Sequence, residues 1–147
     1  DFYTSMTCSP TRAMLMSGTD NHLAGLGVMT GPSREEHMNQ PGYVGYLNDR
    51  VASMADLMSD AGYNTYMTGK WHVTKHDVGP NGPKDNWPMQ RGFEKFYGTI
   101  RGAGSFYDLA TLCRGNTYIT PVNDPTYKPE TYYYTDAIRD TPQKSNF

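Results

Sequence analysis

The stretch Ser53-Met54-Ala55-Asp56-Leu57-Met58-Ser59-Asp60-Ala61-Gly62-Tyr63-Asn64-Thr65-Tyr66-Met67-Thr68-Gly69-Lys70-Trp71-His72 decides the fold class. Ser53 and Asp56 stand at capping-box spacing, with Asp in the place of the usual Glu, so a helix starts at Met54. Met54, Leu57, Met58 and Ala61 follow at i, i+3, i+4 and i+7, the spacing of an apolar helix face, and Gly62 closes the helix. Tyr63 to Met67 then has the composition of a strand, ending in the charged tip Gly69-Lys70-Trp71-His72. Helix, glycine, strand and charged tip form an α/β unit. Ligands of open α/β sheets collect beyond the carboxyl ends of strands, and Lys70 and His72 stand there.

Upstream, Asp1 to Thr7 is a β-favouring run. Ser9-Pro10 reads as an N-cap followed by proline at the first helical position, with a short helix from Thr11 to Ser17 ended by Gly18. Cys8 consequently falls at a helix N-terminus. Residues 19–48 carry glycines, prolines and polar residues with little periodicity and read as an extended surface loop. Downstream, residues 73–88 read as loop, and Phe93, Phe96 and Tyr97 mark a short strand or turn. Thr131 to Ile138 starts another helix, capped near Thr135 or Asp136. The Tyr132-Tyr133-Tyr134 cluster reads as packing against the sheet rather than as a platform for a sugar.

The 147 residues amount to one domain. A net charge of -2 leaves no basic stripe to follow phosphates, so a nucleic-acid partner is not expected. Mean hydropathy is -0.70 and no apolar run approaches the roughly 18 residues of a membrane span. Sixteen Val, Ile and Leu stand against twelve Tyr and nine Met, and 15 glycines plus 10 prolines interrupt regular elements. The reading is a folded, loop-rich chain whose thin core belongs to a larger domain. Cys8 and Cys113 are too few for a disulfide scaffold.

The sharpest chemical feature is Cys8-Ser9-Pro10-Thr11-Arg12. At this composition a C-x-P-x-R string is expected about 0.006 times, and Gly69-Lys70-Trp71-His72 about 0.0002 times, so both in one chain are a strong signal. Each residue also has a plain reading: Cys8 as a core thiol, Arg12 as a surface arginine, Lys70 and His72 as a solvated strand end with Trp71 as packing. His22 and His37 in the long loop, and Lys75 and His76 after the second motif, are weaker candidates for substrate contact.

Together the two strings resemble the formylglycine-dependent sulfatases, whose signature is Cys-x-Pro-Ser/Thr-Arg followed by a Gly-Lys-Trp-His segment. Ala13 to Thr19 is similar to the family's helix and glycine after the cysteine. Asp60 to Thr65 and Arg91-Gly92-Phe93-Glu94-Lys95-Phe96-Tyr97-Gly98 resemble later family segments, and Gly18 to Gly25 and Gly42 to Arg50 look like bacterial arylsulfatases. The resemblance implies an incomplete α/β sulfatase domain of the alkaline-phosphatase superfamily, a mixed sheet flanked by helices, with residues 1–147 an N-terminal part truncated at both ends.

It further implies a sulfuric ester hydrolase in which a maturation enzyme oxidises Cys8 to formylglycine and the hydrate attacks a sulfate monoester. Cys8, Arg12, Lys70 and His72 would be catalytic, with Lys70, His72 and His76 binding substrate. Cys8, as formylglycine, would also ligate a calcium ion whose other ligands lie outside this chain. The substrate would be a small sulfate ester or a sulfated glycan, the location periplasmic or secreted, and the 147-residue piece alone inactive. Physical chemistry agrees with these roles. A helix N-terminus favours a developing alkoxide at position 8, and Arg12 lies one turn on. Lys70 offers a compact charge to sulfate oxygens, and His72, two residues along an extended segment, would point to the same face. The alternatives are a phosphonate or phosphate monoester hydrolase of the same superfamily, and a non-catalytic module that binds sulfated ligands.

Overall fold

The computed structural model describes all residues except 2, 32, 33, 38, 76–78 and 144–147. Among the described residues, three α-helices, α1 (Cys8–Ser17), α2 (Met54–Asp60) and α3 (Tyr134–Gln143), accompany one four-stranded sheet. Its strands are β1 (Tyr66–Lys70), β2 (Lys95–Thr99), β3 (Leu112–Arg114) and β4 (Thr117–Tyr118), in the spatial order β1-β2-β3-β4. β1 and β2 are parallel, pairing Gly69 with Gly98 and Lys70 with Thr99, whereas β2–β3 and β3–β4 are antiparallel. The sheet is therefore mixed and the architecture α/β, as the resemblance implies.

Alternation along the strands separates two apolar clusters. Met67, Phe96 and Cys113 join Ala13 and Met16 of α1, Ala55 of α2, and Trp71, Trp87 and Phe93 in the first. Tyr97 and Leu112, one residue along from Phe96 and before Cys113, join Tyr127 and, around them, Tyr132, Tyr134, Ala137 and Ile138 in the second. The tyrosine cluster thus packs on the sheet as expected, although Tyr133 is 40% exposed.

Several local expectations shift. Helix α1 begins at Cys8 with Thr7 as N-cap, not Ser9. The Ser9 hydroxyl is buried and accepts the Thr30 backbone N–H at 3.2 Å, so it serves the loop rather than the helix end. Pro10 is tolerated because the first turn has no carbonyl to receive its missing N–H, and Gly18 closes α1 in the left-handed conformation. Asp1 to Thr7 forms no strand among the described residues, since no strand lies beside it to complete a ladder. The capping box at Ser53 and Asp56 is present, but the face behind it is not inward. Met54, Leu57 and Met58 are exposed, and only Ala55 of α2 is buried. The reason is tertiary: the Ser53 hydroxyl donates to the Arg91 carbonyl at 2.7 Å, and Gly92 lies so close to Asp56 that no side chain fits there, so the cap end of α2 docks.

The strand after α2 runs from Tyr66 to Lys70, three residues later than its composition suggests. Residues 19–48 are not a surface loop throughout. Asn21, Ala24, Leu26, Leu47 and Asn48 are buried, and the Asn48 side-chain amide donates to the Leu23 carbonyl at 3.0 Å, folding the segment onto itself. The β3–β4 hairpin was not anticipated, although Gly115-Asn116, with Gly115 at φ 56°, is a two-residue turn of the kind hairpins favour.

Candidate functional site

The site is assembled where α1 meets the carboxyl end of β1. Arg12 makes the joint: its Nε donates to the Trp71 carbonyl at 2.6 Å and its Nη2 to the Lys70 carbonyl. These contacts span 59 and 58 residues of sequence. Through them the helix that carries Cys8 in its first turn is fastened to the backbone that carries Lys70 and His72. Arg12 is therefore not a surface arginine. Burial pulls its guanidinium below the ordinary value, while the nearby Cys8 and Tyr134 act in the opposite sense. Arginine starts high enough to stay charged regardless.

Cys8 is exposed at the helix start, which disposes of the core-thiol reading. Cys113 is buried, and burial pushes its thiol up to about 12. Both cysteines are free.

The backbone beyond β1 continues beside β2, with Trp71 N–H donating to Thr99 O at 2.8 Å and His72 N–H to Ile100 O at 3.0 Å. Trp71 is fully buried, its indole N–H bonded to the Asn86 carbonyl at 2.7 Å. His72 is only 5% exposed. The solvated strand end is thus excluded. His72 also sits at φ 55°, in the left-handed region, so the chain turns there and the alternation that placed Lys70 and His72 on one face does not apply. The His72 ring instead lies against Gly102, where any side chain would overlap the ring. Gly98 meets the Gly69 carbonyl in the same way, so the two parallel strands approach through paired glycines. Lys70 is half-buried at the end of β1.

Cys8, Arg12, Lys70 and His72 therefore share one locality, centred on the Arg12 joint. His76 lies outside the described residues. Lys75 is exposed, its ammonium 5.1 Å from the Tyr46 ring centroid, at a cavity of about 370 Å³ shared with Asp49, Thr74, Asp85 and Asn86. His22 and His37 gather instead around Tyr43, edge-on and stacked respectively. The sequence reading missed Gly102 and Tyr134. The glycine in Ile100-Arg101-Gly102 could have signalled a close approach, but nothing local marks Tyr134 as a neighbour of Arg12.

A calcium ion wants six to eight oxygen ligands. Among the described residues no group of three or more His, Cys, Asp or Glu side chains converges, so these residues do not by themselves fit that ion. Nor, among the described residues, is any helix long and apolar enough to cross a membrane.

The described geometry has relatives. The "Sulfatase" family model matches residues 1–145. An uncharacterized sulfatase of Schizosaccharomyces pombe is 42% identical over 130 residues, covering 86% of this chain and 22% of that protein. The arylsulfatase of Klebsiella aerogenes is 35% identical over 140 residues, covering 92% of this chain and 28% of the enzyme. Among solved structures, Ps i-CgsB superposes with a TM-score of 0.61 at 21% identity, over 88% of this chain and 28% of that one. Its complex with k-i-k-neocarrahexaose gives the same TM-score at 20% identity. The chain spans about a quarter of the length of the curated relatives it matches. A family model that takes in nearly every residue, over an α/β sheet whose strand tip is tied to the cysteine helix, places this chain in the sulfatase family.

Proposed function

We propose that the protein of which these residues form part is a sulfuric ester hydrolase whose nucleophile is the hydrate of a formylglycine made from Cys8. The observation that carries this reading is the Arg12 bridge, which brings the exposed Cys8 position to the Lys70–His72 tip. An aldehyde hydrate at residue 8 supplies both a hydroxyl to attack sulfur, with loss of the alcohol, and a second hydroxyl whose collapse to the carbonyl expels sulfate. A thiol has no second hydroxyl and would stay sulfated.

The chain's own groups perform the rest. The first turn of α1 presents free backbone N–H groups, and its dipole favours negative charge at residue 8, a contribution of about 0.3–1 kcal/mol. Lys70 sets a cation against sulfate oxygens as their charge grows. His72, buried and fixed by its neighbours, orients a proton donor or acceptor toward the same group. Arg12 holds these parts in register and adds positive charge behind them. His76, four residues beyond His72 in the sequence, would bind substrate. Any calcium ion would find one ligand at residue 8 and its carboxylates outside residues 1–147.

Two measurements on the full-length protein test this. Mass analysis of the tryptic peptide ending at Arg12 should show the Cys8 thiol replaced by an aldehyde after co-expression with a maturation enzyme, and Cys8→Ala should abolish release of sulfate from 4-nitrophenyl sulfate. An unmodified thiol in a protein that still binds sulfated ligands would favour the non-catalytic module. Faster turnover of 4-nitrophenyl phosphate would favour the phosphoester reading.

A further inference from the structure

Helix α3 begins over the tip of the candidate site. It packs on β1 and β2, and its first residue, Tyr134, joins the apolar cluster of the second face, whereas α1 joins the first. Beneath α3, Thr99 is only 6% exposed and is the register partner of Lys70. We infer that Tyr134 is a positioning residue of the site, its hydroxyl steadying Arg12 from the face of the sheet opposite α1. The inference rests on the sulfatase reading and extends it to a residue outside both motifs.

The Tyr134 oxygen carries the argument. It is shut off from solvent beside Thr99 and, among the described residues, makes no hydrogen bond of good geometry. A buried hydroxyl without a partner costs stability, so phenylalanine would serve the packing better. A polar group kept under that cost calls for a role other than packing.

Three connections tie the residue to the Arg12 joint. The Thr99 carbonyl accepts the Trp71 N–H at 2.8 Å, and the Trp71 carbonyl accepts Arg12 Nε at 2.6 Å. Only Trp71 therefore stands between the strand position under Tyr134 and the bond that Arg12 makes. The two side chains are also close enough to act on each other. Burial raises the Tyr134 phenol, with Thr99 and Arg12 opposing it, while burial lowers the Arg12 guanidinium, with Cys8 and Tyr134 opposing that. Finally, the Tyr134 backbone N–H donates to the Phe106 carbonyl at 2.9 Å. That bond closes the loop in which Gly102 makes room for the His72 ring.

The phenol stays neutral, and its uncommitted O–H can rotate until the oxygen faces the guanidinium. A dipole so placed acts on a charge that has lost much of its water, where such interactions are stronger than in solvent. Arg12 reaches the strand tip from α1, and Tyr134 fixes its setting from α3.

The test uses the full-length matured enzyme, 4-nitrophenyl sulfate and urea unfolding. Tyr134→Phe removes the hydroxyl alone. Its kcat should fall about ten-fold, less than the roughly hundred-fold of a 1 Å misplacement, with KM unchanged and the urea midpoint unchanged or higher. Tyr132→Phe makes the same chemical change two residues away, at a hydroxyl already bonded to that of Tyr97 at 3.1 Å, and should keep wild-type kcat. Because the effect passes through Arg12, it should shrink to about two-fold or less when Arg12 is already lysine. Wild-type kcat in Tyr134→Phe overturns the inference and leaves the sulfatase reading standing. So does a fall in kcat matched by a lower urea midpoint, an equal fall in Tyr132→Phe, or a loss undiminished in the Arg12→Lys background. No hydrolysis of any sulfate ester by the matured wild type removes the sulfatase reading, and this role with it.

Discussion

Replacing Arg12 by lysine separates two roles that a sequence motif cannot distinguish. If Arg12 acts by fastening α1 to the tip of β1, both of its bonds to the Lys70 and Trp71 carbonyls matter. Lysine keeps the charge but has one compact donor group, which cannot span two successive carbonyls in the way a planar fork does. One charged hydrogen bond is lost, at about 1.5–3 kcal/mol, and a half-buried carbonyl is left without its donor, at about 1–3 kcal/mol. A destabilisation of roughly 2.5–6 kcal/mol is therefore expected in urea unfolding of the full-length protein. Because the joint also sets Lys70 and His72 relative to residue 8, a shift of about 1 Å should lower kcat on the order of a hundred-fold. KM should move much less. Arg12→Ala should recover part of its rate when guanidinium is added at sub-denaturing concentration. If Arg12 acted only by its charge on the reacting group, Arg12→Lys would keep wild-type stability and most of its rate; that outcome refutes the bridge.

Gly102→Ala should displace the His72 ring, since a methyl at that position overlaps it. The expected cost is about 1–3 kcal/mol of stability and a larger fall in kcat than in substrate affinity, and wild-type kcat in a folded Gly102→Ala protein would show that the ring's placement is irrelevant. Arg91 is buried and bonds Asp49 at 2.9 Å together with the carbonyls of Asn48 and Val51. Its replacement by alanine should cost about 3 kcal/mol in urea unfolding, as expected when buried carbonyls lose their donor; a loss under about 1 kcal/mol would contradict this. Burial works to raise the Asp124 carboxyl, but hydrogen bonds from Thr126 and Arg114 outweigh it and hold the group below its ordinary value. The stabilisation it contributes is then present above the unfolded carboxylate range near pH ~4 and disappears as pH falls through the lower folded value. Asp124→Asn should flatten that acid limb of the stability profile, and an unchanged limb would show that the pair with Arg114 contributes nothing.

What the sequence disclosed, and what it hid, follows from the range over which each interaction acts. The capping box at Ser53 and Asp56 and the glycine ending α1 were legible, because each is settled by residues within one turn, whereas the start of α1 was not, since the Ser9 hydroxyl serves Thr30 rather than the helix end. The two rare strings were legible as chemistry because few arrangements other than a site require Cys, Pro and Arg, or Lys and His, at fixed spacing. Exposure of Met54, Leu57 and Met58 was not legible. An apolar stripe specifies that a face can be buried, whereas Ser53 and Gly92 decide which end of α2 docks, across nearly forty residues.

The same distinction governs the site. Extended-strand alternation needs extended backbone throughout, and Gly69 at φ 112° and His72 at φ 55° both depart from it, so two-residue spacing does not decide which way the His72 ring faces. The turn at His72 has a counterpart at Gly102, 30 residues on, whose missing side chain makes room for the ring. Arg12 likewise reads locally as a cation one turn from Cys8, yet its measurable work is to bind two carbonyls that belong to the other motif. The two strings are therefore not separate contributions to a sulfate pocket. The arginine of the first closes on the backbone of the second, and the position of each reactive side chain depends on both.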